Sequence, residues 1–328
     1  MVKGIVQTPA RLHLGFIDLN GQCGRIFGSI GVTIERPRWV LEVGLSGRTE
    51  AEGEAGKEIV KILRHLRRQL GVDQGIQIRT LEAIPRHMGF GSGTQLELSL
   101  SFAVSQLVGR PLPVTELARI LGRGRRSGIG IAAFTNGGFV VDAGRPCRPR
   151  VGRRSGSLDG HDLPPVIFQH ALPGDWWFVV VSPRGGPGLS GRREERVFKR
   201  LPPMGEATVE RISRLTLMKV LPGVLTDDIR GFGEAITEIQ TLVGEFFAPY
   251  QGGVYATPTG RKVAEFALRR GAFGVGQSSW GPTMFALVRG EAAATALQGE
   301  MRRFLGDDQS LVFATRASNG GAIWQAAP

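Results

Sequence analysis

Leu81-Glu82-Ala83-Ile84-Pro85-Arg86-His87-Met88-Gly89-Phe90-Gly91-Ser92-Gly93-Thr94 is the stretch on which the reading of this chain turns. Gly89, Gly91 and Gly93 let the backbone take positive φ and come close to a ligand, and the segment runs straight into an apolar helical pattern. Unpaired N–H groups at such a helix start, with the Ser92 and Thr94 hydroxyls among them, suit a phosphate, because donors and helix dipole both favour negative charge there. The stretch has neither the lysine of a Walker-type loop nor the glycine spacing of a dinucleotide turn. Thr94 and Glu97 also form a capping box, which would start a helix with no ligand at all. A phosphate cradle and a plain helix entry both remain open at this level.

Working outward, residues 75–81 alternate as a strand that delivers the chain to the loop, and the helix beyond it, 94–108, is apolar enough to be buried. Upstream, Ile59, Ile62, Leu63, Leu66 and Leu70 recur at helical spacing, with Lys61, Arg64, Arg67 and Arg68 on a solvated face and Gly71 as C-cap. Residues 2–7 and 38–45 have strand character. Between them, residues 8–18 place Arg11, His13 and Asp18 near strand ends, and Gly21, Gly24, Gly28 and Gly31 predict a loop. A lone histidine there reads first as a satisfied structural residue.

Downstream, a short helix over 114–121 leads to a second glycine-rich element, Gly122-Arg123-Gly124-Arg125-Arg126-Ser127-Gly128-Ile129-Gly130, closed by Gly137-Gly138. Its arginines can clamp a second anion in bidentate fashion, or form a solvated basic loop. Residues 144–165 are rich in Arg, Pro and Gly and read as a linker, dividing the chain into domains 1–165 and 166–328. A strand over 176–182 and a polar loop over 183–193 follow, then helical patterns at 205–220, 227–247 and 260–270. Gly271 to Thr283 leads into a strand at 284–288, a helix over 291–304 and a last strand at 310–315. The layout is α+β, with helices set against an antiparallel sheet. Asp227-Asp228 superficially resembles the acidic pair of ordinary phosphoribosyltransferases, but at the start of a helical pattern it reads as N-terminal charge.

The chain has 328 residues, 41% hydrophobic and 21% charged, which is ordinary for a folded protein with room for two domains. Lys plus Arg number 41 against 29 Asp plus Glu, a formal charge of +12, a field that attracts nucleic acid, anionic membrane or highly phosphorylated small molecules without choosing among them. With 7% aromatic residues and no nucleic-acid motif, a small polyanion is favoured over nucleic acid. Cys23 and Cys147 have no metal-ligand companions, and no apolar run reaches membrane length. A soluble, cytoplasmic protein without a disulfide framework is expected.

Residues 8–18, 85–95 and 271–283, in that order, resemble the three motifs of the GHMP kinase superfamily, with Phe90 and Gly93 departing from its Pro-x-x-x-Gly-Leu-Gly-Ser-Ser loop. The resemblance implies a ribosomal-S5-domain-2-like N-terminal domain and a ferredoxin-like C-terminal domain. Many of these kinases carry Ser-Gly-x-Asp, the acid serving as base; here the string is Ser127-Gly128-Ile129-Gly130. The sequence from Gly124 to Phe134, and the strings Gly276-Gln277-Ser278-Ser279-Trp280-Gly281-Pro282-Thr283, Gly188-Leu189-Ser190-Gly191 and Tyr250-Gln251-Gly252-Gly253, resemble a non-kinase branch, the β-ribofuranosylaminobenzene 5'-phosphate synthases. That branch condenses phosphoribosyl pyrophosphate with 4-aminobenzoate, or 4-hydroxybenzoate, with loss of CO2 and pyrophosphate, in tetrahydromethanopterin biosynthesis.

The resemblance implies Mg²⁺ and a homodimer, with no nucleic-acid or membrane partner. On it, Gly89, Gly91, Ser92, Gly93 and Thr94 take the pyrophosphate, Ser92 and Glu97 are candidate metal ligands, and Arg125, Arg126, Ser127 and Gly128 hold a second anionic group. Arg11, His13 and Asp18 line the ribose, while Gln277, Ser278, Ser279 and Trp280 close the pocket, Trp280 stacking on the acceptor; Arg86 and His87 are further candidates. An ATP-dependent kinase, a non-catalytic binding module and a nucleic-acid binder are the rival readings.

Overall fold

In a computed structural model, described for residues 3–147, 162–183, 188, 191–306 and 310–327, strand β1 (Lys3–Asp18) pairs antiparallel with β2 (Arg25–Ser46) from Lys3↔Gly44 to Asp18↔Phe27. The loop expected at the glycines holds only over residues 19–24, for β2 already carries Gly28 and Gly31, and residues 8–18 lie within β1 rather than at strand ends. The pairing continues because bulges between Pro9 and Ala10 and between His13 and Gly15 absorb the irregular residues, and because Phe27 and Gly28 take positive φ inside β2. Arg11 and His13 therefore sit in mid-strand, where a bulged ladder re-aims their side chains.

The chain continues through β3 (Glu50–Glu52), α1 (Gly56–Leu70), β4 (Gly75–Glu82), α2 (Ser92–Leu107), α3 (Val114–Ile120), α4 (Ile129–Thr135), β5 (Phe139–Asp142), β6 (Arg145–Pro146), β7 (Val166–His170) and β8 (Trp176–Ser182). There follow α5 (Gly191–Arg200), α6 (Glu206–Leu215), a π turn (Thr216–Val220), α7 (Leu221–Leu225), α8 (Ile229–Gln251), α9 (Pro258–Arg269), β9 (Gly274–Gln277), β10 (Met284–Arg289), α10 (Glu291–Leu305), β11 (Leu311–Arg316) and β12 (Ile323–Ala327). Most of the expected linker, and part of the polar loop that includes Leu189 and Ser190, lie outside the described residues.

One sheet runs β12-β1-β2-β4-β3, with β5 and β6 on β2 and β7 on β5; the other, antiparallel throughout, runs β11-β8-β10-β9. The first sheet thus takes in two strands from beyond residue 165. Leu12 and Leu14 of β1, Val32 of β2 and Leu96, Leu100 and Val104 of α2 share one buried cluster, which accounts for the all-round apolar character of α2. Gly71 closes α1 in the left-handed conformation, as its position predicted. Asp228 caps α8, its carboxylate accepting from Gly231 N–H at 2.9 Å, and Asp227 pairs with Arg289 at 2.7 Å, so this acidic pair is helix-terminal. Helix α8 joins the two halves: the Gln240 amide donates to the Leu14 carbonyl at 2.5 Å and accepts from Gln277 N–H at 2.8 Å. Among the described residues no helix is long and apolar enough to cross a membrane.

Candidate functional site

Three stretches distant in sequence meet where β1, the start of α2 and the turn after β9 converge, and Ser278 ties them. Its hydroxyl donates to the Gly89 carbonyl at 2.7 Å and accepts from His13 N–H at 2.9 Å. Ser279 N–H donates to the His13 carbonyl at 3.1 Å, and Arg11 N–H to the Phe90 carbonyl at 3.1 Å; the Arg11 guanidinium reaches the Gly89 carbonyl. His87 and Ser279, neither a glycine, hold φ near +58° and +57°. Left-handed backbone at such residues is strain concentrated at the rim of the site.

Helix α2 starts at Ser92 rather than Thr94, behind Gly91 at φ +76°. The Thr94–Glu97 capping box does not form: no side chain caps this helix, and Glu97 is drawn instead to Arg123, which donates from Nε at 2.7 Å. A guanidinium offers a carboxylate two charge-assisted bonds, which outcompetes a single bond to an amide. The uncapped amides at the head of α2 are consequently left for a ligand.

These residues line a cleft with two lobes. One, of about 300 Å³, is bounded by Arg11, Arg86, His87, the loop from Gly89 to Thr94, Arg123, Glu194, Ser279 and Trp280. The other, of about 430 Å³, adds His13, Phe16, Glu97, Arg125, Arg126 and Ser127 while sharing Arg11, Thr94, Arg123, Glu194 and Ser279. Arg86 pairs with Glu58 at 2.5 Å through one nitrogen, and its Nε and Nη1 are buried without a partner. Burial pulls Arg11 down to about 10, against the attraction of Glu194. Burial, reinforced by the Arg11 charge, pulls His13 down to about 3, leaving a neutral imidazole.

Sequence reasoning missed Glu194. It stands on α5, which was expected to begin as polar loop; burial raises its pKa, while Arg126, at 3.6 Å, the Trp280 indole and Arg11 favour the charged form. Arg126 also lies 4.4 Å from the ring centre of Phe198 on the same helix. A helical repeat of Glu194, Val197, Phe198 and Leu201 was the available signal.

Not every expected residue faces the cleft. The Asp18 carboxylate accepts from Asn20 N–H at 2.6 Å and Gly21 N–H at 2.9 Å, closing the turn after β1, and it lines neither lobe. Gly128 N–H donates to Asp142 at 2.8 Å, so this amide is turned inward; Asp142 also accepts from Gly144 N–H at 2.8 Å, and burial pushes it up to about 6. Gln277 accepts from Ala256 N–H at 2.7 Å and supports the turn from behind. Trp280 packs on Phe247, ring centres 4.4 Å apart, and on the edge of Phe198, so protein already covers much of its ring. At Gly130 an added Cβ would stand 3.1 Å from Thr94 Cγ2, and the Gln95 amide donates to the Gly130 carbonyl at 2.7 Å. No cluster of three or more His, Cys, Asp or Glu able to hold a metal occurs among the described residues.

Residues 57–138 match the GHMP kinases N terminal domain and residues 220–307 the GHMP kinases C terminal domain. The chain is 34% identical to the beta-ribofuranosylphenol 5'-phosphate synthase of Methanothermobacter thermautotrophicus, over 98% of this chain and 99% of that one. It is 31% identical to the protein of the same name from Archaeoglobus fulgidus, over 96% and 97%. Among solved structures it resembles mevalonate diphosphate decarboxylase of Staphylococcus aureus (TM-score 0.69, 15% identity, 99% and 98% covered) and homoserine kinase of Cytophaga hutchinsonii (0.67, 18%, 98% and 97%), likenesses that show the fold alone.

Proposed function

The chain belongs to the GHMP kinase superfamily and, within it, to the family of the β-ribofuranosylphenol 5'-phosphate synthases, and from that premise we propose that it joins C1 of phosphoribosyl pyrophosphate to the ring of 4-hydroxybenzoate or 4-aminobenzoate. Carbon dioxide and diphosphate leave, and the product serves tetrahydromethanopterin biosynthesis. The relatives are named for a phenol, which favours 4-hydroxybenzoate.

The observation that carries this reading is Gly130. The position where many superfamily kinases hold their base has no carboxylate, and Thr94 stands against it. Attack by the carboxyl-bearing ring carbon on ribose C1 makes a carbon–carbon bond as the C1–diphosphate bond breaks, and loss of the carboxylate as CO2 returns its electron pair to the ring. No net proton leaves the acceptor. The absence of a carboxylate at that position suits such a reaction, in which the work of the site is to stabilise a departing polyanion. The amides at the head of α2, with Arg11, Arg86 and Arg123, suit the diphosphate, while Arg125 and Arg126 in the second lobe suit the 5'-phosphate or the benzoate carboxylate. The Ser92 and Thr94 hydroxyls are hard oxygen donors beside the loop that would face Mg²⁺, which when bound supplies neutralisation of diphosphate charge, whereas both Glu97 oxygens are already held by Arg123.

Release of CO2 from carboxyl-labelled 4-hydroxybenzoate, dependent on phosphoribosyl pyrophosphate, tests the proposal. Phosphoryl transfer from ATP to an alcohol without CO2 release would place the protein with the kinases instead.

A further inference from the structure

Beside the arginine-lined lobes lies a third, smaller cavity of about 30 Å³, bounded by His13, Phe16, Gln240, Phe247, Ser279 and Trp280 among others. A space of that size admits a group about as large as a water molecule and little more. His13 and Phe16 line both this cavity and the larger lobe, their rings 4.7 Å apart. His13 is 5% exposed, and its Nε2 is buried with no hydrogen-bond partner. A buried polar atom left unpaired is costly and calls for a ligand group.

Resting on the synthase reading above, we infer that His13 Nε2 receives the 4-hydroxyl or 4-amino group of the benzoate acceptor, which enters the small cavity while the carboxyl end faces the arginines of the larger lobe. The imidazole is the right partner. Burial keeps the ring neutral, far below its usual pKa, so one of its two nitrogens carries no proton, and Nε2, buried without a partner, is placed to be that acceptor. Hydroxyl and amine both donate. Each stands para to the carbon that attacks ribose, and positive charge spreads to that heteroatom as the new bond forms, so the bond to Nε2 strengthens in the transition state.

The test uses the full chain and a series of benzoates, in the presence of phosphoribosyl pyrophosphate where turnover is read. On the unaltered protein, 4-hydroxybenzoate and 4-aminobenzoate should bind about tenfold more tightly than 4-fluorobenzoate, which matches the hydroxyl in size but donates nothing. In His13→Leu the preference over 4-fluorobenzoate should collapse, and the rate of CO2 release should fall about tenfold or more at saturating 4-hydroxybenzoate. Binding should show no inflection near the ordinary histidine pKa. Equal affinity for the hydroxy and fluoro acids, an undiminished preference in His13→Leu, or no benzoate binding at all would overturn the inference. Should the variant fail to fold, the ligand series on the unaltered protein decides alone. CO2 release without the preference would sink the His13 assignment and leave the synthase reading intact; the preference without CO2 release would do the reverse.

Discussion

Gly89 and Ser278 are in contact through their backbones as well as through the Ser278 hydroxyl: a Cβ added to Gly89, which sits at φ +94°, would stand 2.5 Å from the Ser278 carbonyl oxygen. No other residue type fits there without separating the glycine loop before α2 from the turn after β9. Gly89→Ala should therefore cost about 1–3 kcal/mol of stability, lower Tm by several degrees and reduce CO2 release far more than the stability loss explains. Calorimetry paired with the labelled-benzoate assay checks it. A variant with unchanged Tm and unchanged rate would show that the close approach is not required.

Arg86 carries two buried nitrogens without partners beside the amides of the loop. Removing a charge-assisted contact to an anion of the substrate costs about 1.5–3 kcal/mol. In Arg86→Met, KM for phosphoribosyl pyrophosphate should rise about tenfold or more, while KM for the benzoate changes little. Steady-state kinetics with each substrate varied in turn decides; an equal rise in both would point to general damage to the loop.

Asp142 ties the second glycine-rich loop to β5, and burial holds its carboxyl near 6 against an ordinary 3.8. Between these values the folded chain retains a proton that the unfolded chain releases. The stability this group contributes is thus complete below 3.8 and is lost as pH rises through 6. Asp142→Asn cannot ionise, so the advantage of the unaltered protein over the variant should shrink across that window. Parallel Tm curves for the two proteins would refute the assignment.

Gly130→Asp would install the acid that the kinases use, but the Thr94 side chain, 3.1 Å from the new Cβ, must move aside, and the charge arrives in the arginine-lined lobe. CO2 release should drop about tenfold or more, in keeping with an uncompensated charge in the site, with no ATP-dependent phosphorylation gained. Phosphoryl transfer by the variant would mean that the site is a kinase site lacking only its base.

The loop from Pro85 to Thr94, the buried α2 and the capped end of α1 were legible in the sequence because each depends on local rules: glycine φ, helical periodicity, a C-cap. The start of α2 was misread by two residues because the competitor for Glu97, Arg123, lies across the fold. β1 was misread for a related reason. Its irregular residues look like a strand ending, and only pairing with β2 shows that bulges carry the ladder through them. Charge hid α5, whose apolar face is narrow, and with it Glu194, whose partners Arg126 and Trp280 come from other segments. β12 follows Asn319, Gly320 and Gly321 and shows itself only by its register with β1. At the site, sequence supplied the arginines, the loop and Ser278, but not that Asp18 closes a turn or that Gly128 points at Asp142.

The Ser278 hydroxyl joins groups 265 and 189 positions away in the chain. The cleft is therefore complete only where β1, the loop before α2 and the turn after β9 are all in place. A ligand that binds here rewards the finished fold alone, and its concentration sets how much of the protein stands complete at a given temperature.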